Sequence, residues 1–197
     1  MLTHISIPEG VTVVVLDLDG TIYRKPRMGL YMVTRQLHHL PLLIAERRWR
    51  KAQRKALALN KPMPSMPVPE TWYRQKYLPT MVDVIATHYK QQTWVQPLLE
   101  ECKQCGIKVV ILSDYEAAID KLRALDIDPK AFDLILSSGE LGTIKPDPVL
   151  GEKILQRLYP NQTKHAAFDW QHVLFIGDRQ DTDGLLAKAL GARFILV

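Results

Sequence analysis

Four short stretches of this sequence carry side chains suited to moving a charged group. Asp17 and Asp19 stand two apart in Asp17-Leu18-Asp19-Gly20-Thr21, and Ser113 ends the run Lys108–Ser113. Lys145 lies in Gly142-Thr143-Ile144-Lys145-Pro146-Asp147-Pro148, and three further acids, Asp178, Asp181 and Asp183, follow Gly177. Residues two apart on an extended chain project to one side. Two such carboxylates repel, and one holds a proton unless a cation neutralises them. With Asp178 beside them they form an all-oxygen set for a hard divalent ion. Magnesium suits such a set, because it takes few protein carboxylates and completes its octahedron with water and substrate phosphate. A lysine ammonium and a serine hydroxyl are the charge and donor that phosphoryl oxygens need in transfer. The chemistry indicated is phosphoryl transfer.

Such a constellation needs elements that bring distant residues together. Val11–Leu16 is a β-branched run, as expected of a strand buried on both faces of a parallel sheet. Similar runs occur at Lys108–Leu112, Phe132–Leu136, Val173–Ile176 and Arg193–Val197, with helical patterns at Glu116–Leu125, Pro148–Leu158 and Asp183–Leu190 between them. Strand–helix alternation predicts an α/β fold, a Rossmann-like parallel sheet core flanked by helices. Each chemical stretch follows a strand, and open α/β sheets bind ligands outside the carboxyl ends of their strands. Gly20 and Gly177 suit the tight exits from strand into loop.

Residues 22–95 break this rhythm. They hold helical patterns at about Leu30–Leu40, Leu42–Leu59 and Glu70–Tyr89, a proline-rich loop at Lys61–Pro69 and no β-run. The expected division is an α/β core of residues 1–21 and 96–197 with an all-α insertion, 22–95, directly after the first strand; a helix at Gln96–Cys105 leads back to the sheet. Charge divides the same way. The insertion has 14 Lys/Arg against 3 Asp/Glu, and the remainder has 12 against 18. The basic part would attract anions, and the acidic part concentrates carboxylates.

The ordered set Asp-Leu-Asp-Gly-Thr, strand then Ser113, Lys145 before Pro-Asp-Pro, and Gly-Asp-x-x-x-Thr-Asp resembles the haloacid dehalogenase-like (HAD) hydrolase superfamily across nearly the whole chain. The resemblance implies a magnesium-dependent hydrolase of small phosphomonoesters, acting on a small phosphorylated metabolite through an aspartyl-phosphate. Asp17 would be the nucleophile, and Asp19 the acid for the leaving oxygen and then the base for water. Ser113 and Lys145 would hold the phosphoryl group and its charge. The ion would sit on the side chains of Asp17 and Asp178 and on the backbone carbonyl of Asp19. Asp183 would support Lys145 or a metal-bound water, with Asp181 competing for that role. Members that cleave carbon–halogen bonds typically lack a second Asp two residues on, so Asp19 favours phosphate esters. The insertion would be a helical cap that closes over the site. Thr21, Arg24 and Arg27, with Lys25, are the near residues that would touch substrate. Asp114 stands where many relatives carry Asn, and is expected to cap the following helix.

The composition sets the remaining expectations. Hydrophobic residues make up 47% and charged ones 24% of 197 residues, which excludes a disordered chain. No apolar run is long enough to cross a bilayer, and the first residues lack a secretory pattern. Two cysteines form no disulfide scaffold, so a cytoplasmic protein is expected. Cys102-x-x-Cys105 has no partner pair at zinc spacing, and His38, His39 and His88 are expected at the surface or in packing. The segment Glu46–Lys55 has six Lys/Arg in ten residues and is expected to be a solvated helix face. The competing function, nucleic-acid binding through that basic face, is not favoured. A phosphotransferase or phosphomutase of the same family is the nearer alternative, since a hydroxyl can replace water as acceptor.

Overall fold

The protein is described from a computed structural model covering residues 4–137, 139–161 and 168–197. Five parallel strands form one sheet: β1 Val13–Leu16, β2 Lys108–Ser113, β3 Leu134–Ser137, β4 Val173–Gly177 and β5 Arg193–Leu196, in the order β3-β2-β1-β4-β5. β1 is central, and alternate residues serve opposite faces. Val14 and Leu16 join a core with Ile111, Leu174 and Ile176, while Val13 and Val15 join another with Val110, Leu112 and Phe175. All four residues of β1 are 1% exposed or less, which explains its unbroken β-branched sequence. The fold is α/β and Rossmann-like, as the alternation predicts.

The helices between β1 and β2 are α1 Met28–Arg35, α2 Leu40–Ala58, α3 Glu70–Trp72, α4 Leu78–His88 and α5 Val95–Cys105. A π-helical turn, Tyr73–Tyr77, joins α3 to α4. No strand lies among the described residues between β1 and β2. After β2 come α6 Ala118–Ala124, α7 Val149–Leu158 and α8 Leu185–Leu190. One sheet face is covered by α4, α5 and α6 through Val84, Leu98 and Leu122, and the other by α7 and α8 through Ile154 and Leu186.

Where elements end differently from expectation, a local interaction accounts for it. The first helix stops at Arg35 because Gln36 turns away, its amide donating to Lys76 O (2.9 Å) and Thr80 Oγ1 (2.6 Å). The last helix begins at Leu185 because Gln180–Gly184 is a π-helical turn. No helix of the described residues is long and apolar enough to cross a membrane, and Cys102 and Cys105 are both free.

Candidate active site

The chain runs outward from β1 through β2 to β3 and then crosses back to β4, so the direction of winding reverses between β1 and β4. A crevice opens at such a point beyond the strands' carboxyl ends. Leu16 pairs with Ile176 across it, which sets Asp17 beside Gly177 and Asp178. Backbone crowding here requires glycine. A Cβ on Gly20, at φ +113°, would come within 2.1 Å of Asp178 Oδ2, and one on Gly177 within 2.4 Å of Asp183 Cγ.

Asp17 is 8% exposed and held on both sides. Lys145 Nζ donates to its Oδ1 at 2.5 Å, and Thr21 Oγ1 to its Oδ2 at 2.7 Å. The same ammonium lies 2.7 Å from Asp183 Oδ1 and donates to the Leu112 carbonyl at 3.0 Å. Burial disfavours charge on Lys145, but Asp17 and then Asp183 outweigh it, so its pKa moves up. Asp183 moves up by burial, against the pull of Lys145. Of the two late acids, Asp183 reaches Lys145, whereas Asp181 is exposed and pairs with Arg179 (2.5 Å).

Asp19 meets a second buried ammonium, one that no motif announces. Lys121 Nζ donates to Asp19 Oδ1 and Oδ2 at 2.9 and 2.8 Å, and Tyr23 OH donates to Oδ1 at 2.6 Å. Ser113 Oγ reaches Asp19 Oδ2 at 3.1 Å, linking the ends of β1 and β2. Burial alone would raise Asp19, but Lys121 and then Lys25 reverse the effect and hold it at about 2. Lys121 itself is lowered by burial, with Asp19 opposing. The ammonium facing both carboxylate oxygens marks a charged pair. Helical spacing was the available signal: Ala118, Lys121 and Leu122 share one buried stripe, so a lysine occupies a core position of α6.

One carboxylate oxygen from each of Asp17, Asp178 and Asp183 lies within 4.8 Å of the others, a cluster of hard donors. Burial, with Asp17 adding and Lys25 opposing, raises Asp178, as expected of acids gathered without full compensation. This donor set fits magnesium. A cation of the chain is already close by. Lys25 Nζ donates to the backbone carbonyl of Asp19 and lies 4.0 Å from Asp178 Oδ2.

The remaining expected residues separate into those at the crevice and those outside it. Thr21 and Lys25 belong to the crevice. Arg24 and Arg27 instead line a separate recess with Tyr31, His88 and Tyr89. Asp114 does not cap a helix: α6 begins at Ala118 without a side-chain cap, and Asp114 Oδ1 accepts the Lys145 backbone N–H at 3.2 Å. Its negative charge therefore supports the loop that carries Lys145.

The basic segment is only partly a solvated face. Leu43, Glu46 and Arg50 form the buried stripe of α2. Arg50 donates to Glu46 (2.9 Å), to Tyr73 OH (2.6 Å) and to the Asp114 carbonyl (2.8 Å), tying α2 to the end of β2. Its guanidinium sits 4.3 Å from the Tyr115 ring centroid, and Trp49 Nε1 donates to Pro64 O at 2.9 Å. Hydropathy periodicity hides this stripe because two of its members are charged. Trp49 and Arg50 of this segment are engaged within the protein.

A parallel sheet whose winding reverses between β1 and β4, with paired acids and a buried lysine at that point, defines an α/β fold of the Rossmann-like type with a carboxylate-rich crevice. A family model of haloacid dehalogenase-like hydrolases matches residues 11–191, and the chain belongs to that family. A search of curated proteins returned no match. Among solved structures, the chain is similar to CbbY from Rhodobacter sphaeroides in complex with phosphate (17% identity, 94% of this chain and 85% of that one, TM-score 0.66). It is also similar to a HAD phosphatase from Thermococcus onnurineus (17% identity, 95% and 86%, TM-score 0.64). A 2-haloacid dehalogenase from Pseudomonas syringae pv. tomato shares the fold as well (18% identity, 94% and 86%, TM-score 0.60).

Proposed function

We propose that the protein is a cytoplasmic, magnesium-dependent hydrolase of small phosphomonoesters that works through an aspartyl-phosphate on Asp17. The observation that carries this proposal is the placement of two carboxylates with different partners at one crevice. Asp17 is clamped by Lys145 and Thr21 as a nucleophile requires, and Asp19 stands next to it with Lys121 and Ser113. Cleavage of a carbon–halogen bond requires no leaving-group acid, so a buried and elaborately held Asp19 supports a phosphate ester.

In the first half-reaction an Asp17 oxygen attacks phosphorus and the P–O ester bond breaks. The leaving oxygen takes a proton by way of Asp19. At rest Asp19 is ionised, and the ammonium of Lys121, 2.8 Å away, is the donor within reach. In the second half-reaction Asp19 draws a proton from water and passes it back to Lys121, while the water oxygen attacks phosphorus and releases Asp17. Lys145 and the Ser113 hydroxyl balance the equatorial oxygens. Magnesium, held by Asp17, Asp178 and the Asp19 carbonyl with Asp183 close by, would neutralise phosphoryl charge. The helical segment 22–95 acts as a cap over residues 1–21 and 96–197, with Arg50 as its tie to the core. Thr21 acts by holding Asp17, and Lys25 is better placed for a phosphate than Arg24 or Arg27.

The test is phosphate release from a panel of phosphomonoesters with magnesium and with excess EDTA, together with acid-quench trapping of phosphoryl-Asp17. Magnesium-dependent release with label on Asp17 is expected. Full activity in EDTA would remove the metal, and turnover with label elsewhere would remove the nucleophile.

A further inference from the structure

A cavity of about 510 Å³ opens between α1, α2, α4 and the crevice. It touches Asp19 but neither Asp17 nor Asp178. It therefore lies on the side of the leaving oxygen, which Asp19 serves, and away from the phosphoryl group, which Asp17 and Lys145 serve. Its volume is in the range that encloses a ligand of drug-like size.

The walls of this cavity are mostly apolar. Met28, Met32, Leu40, Leu43 and Met81 line it, with the ring of Tyr77 among them. Met32, Leu43 and Met81 belong to the hydrophobic core that continues beneath the sheet, so the lining is fixed from behind. Lys25, Arg47, Tyr77 and Tyr115 also border it, and Lys25 donates to the Asp19 carbonyl. Tyr23 OH donates to Asp19, Asp19 accepts from Lys121 and Ser113, and Glu46 accepts from Arg50. Arg47 is exposed. A leaving group rich in hydroxyls would lose water here and meet few partners, a loss of several-fold in affinity for each unpaired hydroxyl. An alkyl or aryl group would gain by burial. The three methionines are unbranched and polarizable, and adapt to more than one shape.

Resting on the phosphatase proposal, we infer that the substrate is a phosphomonoester whose leaving group is an apolar alkyl or aryl alcohol rather than a sugar or polyol. The chain length of the alcohol is read by Met28, Met32, Leu43 and Met81, and Asp19 stands between this pocket and the phosphoryl site. The assignment requires no step beyond ester hydrolysis.

The experiment compares n-butyl phosphate, n-hexyl phosphate and a hexitol 6-phosphate with magnesium, by phosphate release. All three leave as primary alcohols, and the last two have equal carbon number; the hydroxyl beside the hexitol's leaving carbon makes it the better leaving group, so intrinsic reactivity works against the expected order. Each methylene buried should raise kcat/KM about fourfold, and hexyl phosphate should exceed the hexitol ester at least about tenfold. Leu43→Asn should lower the ratio of hexyl to hexitol kcat/KM about tenfold. Met32→Gln is a second variant with the same expectation, should Leu43→Asn not fold. A hexitol ester turned over as well as or better than hexyl phosphate overturns the apolar assignment and leaves the phosphatase proposal standing. Release of phosphate from none of the esters removes both.

Discussion

Two buried ammonium groups face two carboxylates that are two residues apart, yet they are built differently. Lys145 reaches Asp17 from a loop after β3 and is shared with Asp183. Lys121 reaches Asp19 from inside α6, is wholly buried and faces that carboxylate alone among the acids it pairs with in the described residues. The first arrangement sets Asp17 against a cation that it shares with another acid. The second sets Asp19 against an ammonium that donates to both of its oxygens. In the proposed mechanism, neighbouring acids of one motif thus acquire different tasks from the cations that the fold brings to them.

Substitution of the two lysines separates these tasks. Lys145→Met should lower phosphate release by about a thousandfold or more, since it removes the cation at the developing charge. Turnover under saturating substrate measures this. Lys121→Met should act more on stability. With its pKa at about 2, below the ordinary carboxyl value, Asp19 contributes stability that is present above pH ~4 and lost as pH falls through about 2. Removing Lys121 leaves a buried, unpaired carboxylate, at a cost of about 3 kcal/mol near neutral pH. Urea unfolding should show the gap between wild type and Lys121→Met narrowing as pH is lowered from 7 toward 3. A gap constant with pH would break the comparison, because the lysine would then contribute packing alone.

A third lysine sharpens it. Lys25 sits on the Asp19 carbonyl and near Asp178, where it opposes a second cation. Lys25→Met should tighten magnesium binding by about tenfold, read by calorimetry. The smallest effects belong to the outer acids. Asp183→Asn should lower turnover by tens of fold through misplacement of Lys145. Asp181→Asn should leave turnover within twofold, and stability within about 0.5 kcal/mol, because its pair with Arg179 is exposed.

These contrasts also mark what the sequence made legible. β1, Asp17, Asp19 and the loops carrying Lys145 and Asp178 were readable because strand exits and short motifs encode them locally. Asp183 was readable only as one of two candidates, since the π-helical turn at Gln180–Gly184 decides which acid points inward. Lys121, Tyr23 and Arg50 were not found. Each is a polar residue in an apolar stripe or beside a motif, and its role exists only through a partner distant in sequence. Lys121 and Asp19 are 102 residues apart, and Arg50 and Asp114 are 64 apart. Sequence pattern placed Arg24 and Arg27 near Asp17 along the chain, but the turn into α1 carries them to another recess.

The most direct measurement is magnesium-dependent phosphate release by Asp17→Asn, with folding verified by unfolding of the same preparation. The amide keeps the size and hydrogen-bonding reach of the side chain but removes its nucleophilic charge. Release below detection from a folded variant is the expected result, and release close to the wild-type rate would contradict the role given to Asp17.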